Sequence, residues 1–304
     1  MFVSLIIPTY NREALLVRCL QCALQQQYSD YEIIVVDQTR QHEPATEQFL
    51  TANQDRLRWI RSEKPSLTAA RNLGLRHARG EVVIFIDDDT EFDPDFILNH
   101  VLAHQGGLDV VQGRIVEQGI PPQSKPLWLT WYLKFTGGDD CAIDGPVNVV
   151  TGANFSVSRA VFTKIGTFDE RFSGVAVHED ADFGIRAHRA GFRMGYVAKA
   201  ALIHHASSQG GVDSGVEDKF FNLSYHQSSL LFAHKHFPVY IVAYFRIRLT
   251  LRGLRSVKAL IRQADQRVRA QLDPSEITAQ SAVSSASQAH QPAGRSAGAQ
   301  THRH

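Results

Sequence analysis

Three consecutive carboxylates, Asp87-Asp88-Asp89, directly follow the apolar run Val82-Val83-Ile84-Phe85-Ile86. Such a run reads as a strand covered on both faces, so the acids sit at its carboxyl end. Like charges at a sheet edge repel one another unless a cation neutralises them. Hard oxygen ligands on a turn suit Mg²⁺ or Mn²⁺ shared with phosphate oxygens. The alternative is a solvated acidic turn. Glu179, Asp180 and Asp182 form a second acidic group at the start of a helical pattern. A carboxylate there can take the proton of an attacking hydroxyl, or merely complement the helix dipole. His204-His205 ends a further strand pattern. A neutral imidazole suits Mn²⁺, and adjacent strand residues face opposite ways, so only one of the two can serve.

Two reaction classes use such an acidic turn. Phosphoryl transfer of the haloacid-dehalogenase type wants Asp-x-Asp-x-Thr or Val, whereas here Glu91 stands fifth and Thr90 one place early. Sugar transfer from a nucleotide diphosphate uses Asp-x-Asp to hold a metal on the diphosphate.

The elements that must position these groups follow from periodicity. Leu5-Ile6-Ile7, Ile33-Ile34-Val35-Val36 and Val82 to Ile86 are continuous apolar runs, and Leu57-Arg58-Trp59-Ile60 is a fourth strand. Helical patterns separate them: Leu15, Leu16, Cys19 and Leu20 share one side, 46–52 is a short helix, and Ser66 caps a helix reaching about His77. Strand, helix, strand, helix predicts a mostly parallel sheet with helices on both faces. The carboxyl ends of such strands line the ligand crevice. They carry Thr9-Tyr10-Asn11, Asp37 and Asp87-Asp88-Asp89. Beyond them, 147–155 reads as a strand interrupted by Gly152, 182–190 as a helix, and 196–205 as a strand.

Seven motifs stand in order: Ile7-Pro8-Thr9-Tyr10-Asn11-Arg12, Val35-Val36-Asp37, Ala70-Arg71-Asn72-Leu73-Gly74, Phe85-Ile86-Asp87-Asp88-Asp89, Gly152-Ala153-Asn154, Gly166-Thr167-Phe168-Asp169-Glu170 and His178-Glu179-Asp180-Ala181-Asp182-Phe183. The series resembles the family 2 glycosyltransferases over about residues 1–210. The resemblance implies the GT-A fold, a nucleotide-diphosphate-sugar co-substrate, Mn²⁺ or Mg²⁺, and transfer with inversion to a hydroxyl of a glycan or lipid-linked glycan. It implies donor contacts from Pro8, Thr9, Tyr10, Arg12, Asp37, Arg71, Asp87, Asp88 and Asn154. Asp89, with His204 or His205, is the implied metal site. Asp180 is the implied general base, with Glu179 the less favoured of the pair. Trp128, Trp131 and Tyr132 offer an acceptor platform, although a helical core stripe explains them equally well.

The organisation expected is a nucleotide-sugar half (1–115), an acceptor half (116–215), a basic helical arm (216–270) and a disordered tail (271–304). The 304 residues are 43% hydrophobic and 21% charged, which excludes a collagen, a wholly disordered chain and a polytopic membrane protein. Net charge is +1, yet 235–270 holds nine Lys or Arg against Asp265 alone. That imbalance excludes nucleic acid as the partner of the whole but suits an anionic membrane surface. Ile247, Leu251, Leu254, Val257 and Ile261 recur at helical spacing beside Arg248, Arg252, Arg255 and Arg262. That face either lies on a membrane or docks on the body. Cys19 and Cys22 read as helix thiols rather than a redox pair. With no signal-like start and no apolar run long enough to span a bilayer, the expected location is cytoplasmic or peripheral at the inner face of the membrane. Three rivals remain: the phosphatase above, a sugar nucleotidyltransferase, whose glycine-rich loop is missing after Ile7, and an inert glycan-binding scaffold of the same fold.

Overall fold

In the computed structural model the apolar runs become strands whose side chains alternate between two cores, as a period of two requires. Residues 1–207, 210–211, 222–252 and 255–272 are described, apart from the side chains of 248–257. Strands β1 (Val3–Thr9), β2 (Tyr31–Asp37), β3 (Leu57–Arg61) and β4 (Val82–Ile86) alternate with helices α1 (Ala14–Leu24), α2 (Pro44–Ala52) and α3 (Leu67–His77). They pair in parallel in the order β3-β2-β1-β4. The chain leaves β1 on one side for β2 and returns on the other as β4, and that reversal opens a crevice at the strand ends. Ser66 caps α3 as its type predicts, accepting from the Ala69 amide at 3.4 Å.

The second half is less regular. It runs β5 (Thr90–Phe92), α4 (Phe96–Gln105), β6 (Val110–Glu117), the small hairpin β7 (Trp128–Leu129) and β8 (Phe135–Thr136), β9 (Gly145–Pro146), β10 (Asn154–Ser158), α5 (Arg159–Ile165), α6 (Glu179–Arg189), β11 (Met194–His204), α7 (Leu223–His236), α8 (Val239–Arg252) and α9 (Arg255–Gln271). Here the expected parallel pairing gives way. β10 runs antiparallel to both β4 and β6, and β11 pairs parallel with β6 but antiparallel with β5, so the nine-stranded sheet is mixed. The strand expected over 147–155 begins only at Asn154, because the chain before it turns so that the Gly152 amide meets Asp180. The helix expected from 182 starts at Glu179, which brings the acidic pair into its first turn.

Leu5, Ile7, Ile33, Val35 and Ile84 face one core, closed by α1, α2 and α4. Ile6, Ile34, Val36 and Phe85 face the other, closed by α3, α5 and α6. Cys19 packs in the first, where burial pushes its thiol far up, as expected of a helix thiol and not of a redox centre. α6 lies unusually close to its support. A Cβ on Gly184 would come within 2.7 Å of the Val149 Cα, so only glycine allows that approach.

A third core joins α6 to α7, α8 and α9 through Ile185, Leu231, Phe232, Ile241, Ile261 and Val268. The stripe Ile247 to Ile261 therefore does not form one helical face: the chain divides it between α8 and α9, Ile261 is buried and Ile247 is exposed. Leu251, Leu254 and Val257 fall outside the described side chains, as does the tail from 273.

His100 and His104 stand one turn apart on α4, a spacing that suits a metal. Instead both rings share the Ser156 hydroxyl, at 2.9 and 2.8 Å, and His100 also meets Asn154. Burial pushes His100 down to about 3 and His104 down to about 4. In the unfolded chain each takes a proton near pH 6.5. Stability is thus whole above that pH and falls as the pH drops towards the folded values. In His100→Gln this contribution is gone. The stability gap between wild type and variant should shrink by about 2 kcal/mol between pH 7 and pH 5. Urea titrations at the two pH values measure it, and a constant gap would refute it.

Candidate active site

The crevice at the carboxyl ends of β1 and β4 holds two linked groups of charge. Asp87, Asp88 and Asp89 leave β4 on a turn whose side chains diverge. Asp88 turns inward, accepts from Thr9 Oγ1 at 2.6 Å, and lies 3.4 Å from the Arg12 guanidinium. Burial still pushes Asp88 up to about 7. Asp89 lies 3.1 Å from Arg12 Nη2, and its Oδ2 accepts from the Ser207 amide at 3.0 Å. Burial pushes Asp89 up, but His204 and Arg12 outweigh it and hold the carboxyl below its usual range.

His204 resolves the histidine pair. Its Nε2 lies 3.3 Å from Asp89 and 3.9 Å from Asp87, and its Nδ1 meets Glu117 at 2.7 Å. Strand alternation turns His205 the other way, to Glu91 at 2.9 Å. Burial pulls His204 down, but the surrounding carboxylates raise it to about 9. One ligand atom each from Asp87, Asp89 and His204 lie within 4.8 Å of one another. Two carboxylate oxygens and an imidazole nitrogen at that separation fit Mn²⁺ or Mg²⁺.

Across the crevice stands the first turn of α6. Asp180 Oδ2 accepts from the Gly152 amide at 2.8 Å, and Oδ1 from the Ala181 amide at 2.6 Å. Burial raises Asp180, which makes it a stronger base than a surface carboxylate. Glu179 is tied at 2.8 Å to Arg71, whose Nη2 also reaches the Gly152 carbonyl at 3.2 Å and Asp87 at 3.6 Å. Burial and Asp180 push Glu179 up to about 8 despite Arg71.

A cleft of about 440 Å³ joins the two groups. Asp87, Glu117, Asp139, Asp140, Glu179 and Asp180 line it against Arg71 and His204 alone among its basic residues. That excess of carboxylates is electrostatically unfavourable without a bound cation. An adjoining cavity of about 350 Å³ shares Leu67, Thr151, Glu179 and Asp180 with the cleft and is otherwise faced largely by apolar residues, among them Leu127, Phe135 and Val177. Asp180 therefore stands where the two spaces meet.

The other expected site residues divide. Pro8 is buried within β1 and leads into Thr9, which reaches Asp88. Tyr10 lines a separate cavity of about 380 Å³ with Asn11, Gln38 and Arg40. Asp37 does not open into it: fully buried, it accepts from the Thr39 amide and Trp59 Nε1 and meets His42 at 3.0 Å and Arg61 at 3.3 Å. Asn154 is equally committed, donating to the Arg114 and Ala200 carbonyls and meeting His100. Arg12 reaches the aspartates rather than open space. Trp128, Trp131 and Tyr132 line another cavity, of about 590 Å³, which does not include Asp180. Glu117, Asp139 and Asp140 were missed in the sequence. They belong to no motif, and only the acid that closes the apolar pattern of 110–117 hints at one of them.

The chain is similar in sequence and in fold to several glycosyltransferases. WcaA of Escherichia coli (strain K12), a glycosyl transferase assigned to colanic acid biosynthesis, is 34% identical over 138 residues, covering 41% of this chain and 48% of WcaA. The chain thus spans about half of that relative's length. Glycosyltransferase AglE of Haloferax volcanii is 30% identical over 211 residues, 67% of each chain. In fold, the structure of GalNAc-T7 with UDP, GalNAc and Mn²⁺ superposes with a TM-score of 0.64 at 13% identity, over 87% of this chain and 54% of that one. The expected GT-A architecture is the observed one. The model of glycosyl transferase family 2 matches residues 4–166, which is more than half of the sequence and includes β1 to β4 and the aspartate turn. Motif order, fold and match agree, and the chain belongs to glycosyl transferase family 2.

Proposed function

We propose that the chain is an inverting glycosyltransferase that moves a sugar from a nucleotide diphosphate to a hydroxyl of a glycan or lipid-linked glycan. One observation carries the reading: Asp180 lines the same cleft as Asp87 and His204, which with Asp89 form the candidate metal cluster. Asp87, Asp89 and His204 would hold a divalent cation, which would neutralise charge on the diphosphate. The structurally similar GalNAc-T7 is known with UDP, GalNAc and Mn²⁺, and the acidic cleft of this chain has the charge to take a cation with a nucleotide.

In this reading the acceptor enters by the apolar cavity and meets Asp180. The acceptor oxygen forms the new bond to the anomeric carbon from the face opposite the diphosphate. Its proton passes to Asp180 as the bond from the carbon to the diphosphate oxygen breaks. The two amides on Asp180 fix its orientation. Arg71 holds the Glu179 carboxyl at 2.8 Å and so fixes its position beside Asp180. Tyr10 offers a ring face to the base in its cavity. Asp37 holds His42 and Trp59, Asn154 holds His100, and Arg12 holds Asp88 and Asp89.

The test is a thermal-shift panel of nucleotide diphosphates and their sugars, with and without Mn²⁺. A ligand bound only by the native state raises its stability, by about 2.7 kcal/mol at a hundred times Kd. The expected result is one nucleotide that needs the metal and loses its effect in Asp89→Ala. No response to any nucleotide at saturating metal would refute the reading.

A further inference from the structure

α8 is apolar on both sides. Ile241 and Val242 are buried inward, and Phe245 packs beside them on the third core. The outward face carries Val239, Tyr240, Tyr244 and Ile247, between 57% and 62% exposed. A helix on a water-facing surface normally turns polar residues outward. Next to it the turn between β7 and β8 holds Trp131, 71% exposed, and Tyr132, in edge contact with centroids 5.3 Å apart. Tyr240, Trp131 and Tyr132 line the same cavity of about 590 Å³, so the hairpin and α8 present one continuous aromatic surface.

Its charge has one sign. Arg189 and His236 line that cavity, and no carboxylate does. Between Glu117 and Asp139 the sequence has no Asp or Glu and holds Lys125 and Lys134, both exposed. Lys134 is exposed on the hairpin turn itself. A protein partner of this surface would meet rings with polar tips and no acid for its own cations. Trp and Tyr beside basic residues instead match the headgroup level of a bilayer, where the ring meets the acyl boundary and the polar tip stays wet.

We propose that the outer face of α8 and the β7–β8 turn form a docking surface for an anionic phospholipid membrane. Val239, Tyr240, Tyr244, Ile247, Trp131 and Tyr132 enter the interface, and Lys125 and Lys134 meet the lipid phosphates. This surface is distinct from the cleft, and its occupancy is measured without turnover, so the transferase reading stands or falls separately.

The experiment is co-sedimentation of the full chain with vesicles of phosphatidylcholine alone and with about one third phosphatidylglycerol. The expected result is binding to the anionic vesicles that weakens with salt, with a blue shift of tryptophan emission. Trp131→Ser/Tyr240→Ser/Tyr244→Ser should bind about tenfold more weakly or worse at an unchanged melting temperature. Tyr240→Trp alone should bind at least as well as wild type, which covers the case of a triple variant that folds poorly. Absence of binding to both vesicles, or binding that the triple variant leaves intact, would overturn the proposal. So would a wild-type dimer in sedimentation velocity that the triple variant converts to monomer, because a second copy would then own the surface.

Discussion

Replacing Asp180 by Asn should lower sugar transfer by about 10²- to 10⁴-fold, the usual worth of a positioned base. Metal-dependent binding of the nucleotide should stay within about threefold, since Asp180 is not among the three candidate ligands. The substitution removes the basic oxygen and also disturbs the site. Both carboxylate oxygens accept backbone amides, from Gly152 and Ala181. An Asn must turn its own N–H₂ towards one of those donors, so the side chain rotates or loses a bond. Asp180→Ala separates these effects, because it loses the base without the donor-to-donor conflict. Both variants should be equally inactive. Rate measurements with the nucleotide sugar that the binding panel selects decide it, and activity within tenfold of wild type in either variant would remove Asp180 from the base role. Glu179→Gln is the contrast. It leaves the base in place and frees Arg71, so the loss should be smaller.

The second large effect is on stability. Asp182→Asn should cost about 3–5 kcal/mol, the usual penalty for breaking a buried ion pair. That amounts to roughly 10 °C in a chain of this size. Asp182 is fully buried on α6, two residues beyond Asp180. It receives Lys235 at 2.6 Å, His236 at 2.7 Å and Arg186 at 2.9 Å. Burial pushes this carboxyl up, but those three partners win and hold it far below its usual range. With an amide in its place, Arg186 keeps its charge and loses its counterpart, and Lys235 is left with Asp169 alone. Two of the partners belong to α7, so the loss also unfastens α7 from the helix that carries the base. Calorimetry of the two proteins measures it, and a loss under about 1 kcal/mol would show that the cluster is solvated and not structural. Lys235→Gln should cost less, because Asp182 then keeps His236 and Arg186.

Much of the first half was legible because continuous apolar runs can only be strands covered on both faces. The runs at Leu5, Ile33 and Val82 therefore gave both the sheet and the ends where ligands bind. The antiparallel β10 was not legible, since its direction depends on the turn at Gly152, which no local pattern encodes. The aspartate turn and the acidic pair were found by type and order. Whether a polar residue at a strand end looks into the crevice or into the sheet was not. Asp37 and Asn154 look inward, where His42, Trp59 and His100 satisfy them. Arg71, expected to reach the donor, is almost wholly buried, and its partner Glu179 lies 108 positions away. Such pairings follow from tertiary distance alone. Strand alternation, by contrast, separated His204 from His205 as soon as one of them was seen to face the aspartates.

Gly152 gives its N–H to Asp180 and its C=O to Arg71. The two groups lie on successive peptide planes that meet at the Gly152 Cα. A Cβ placed on that carbon would collide with the Arg71 guanidinium. Any side chain at 152 must therefore displace the cation from Glu179 or turn the amide that orients Asp180. The absence of one side chain holds the base and its neighbouring cation in register, and Gly152→Ala should disturb both at once.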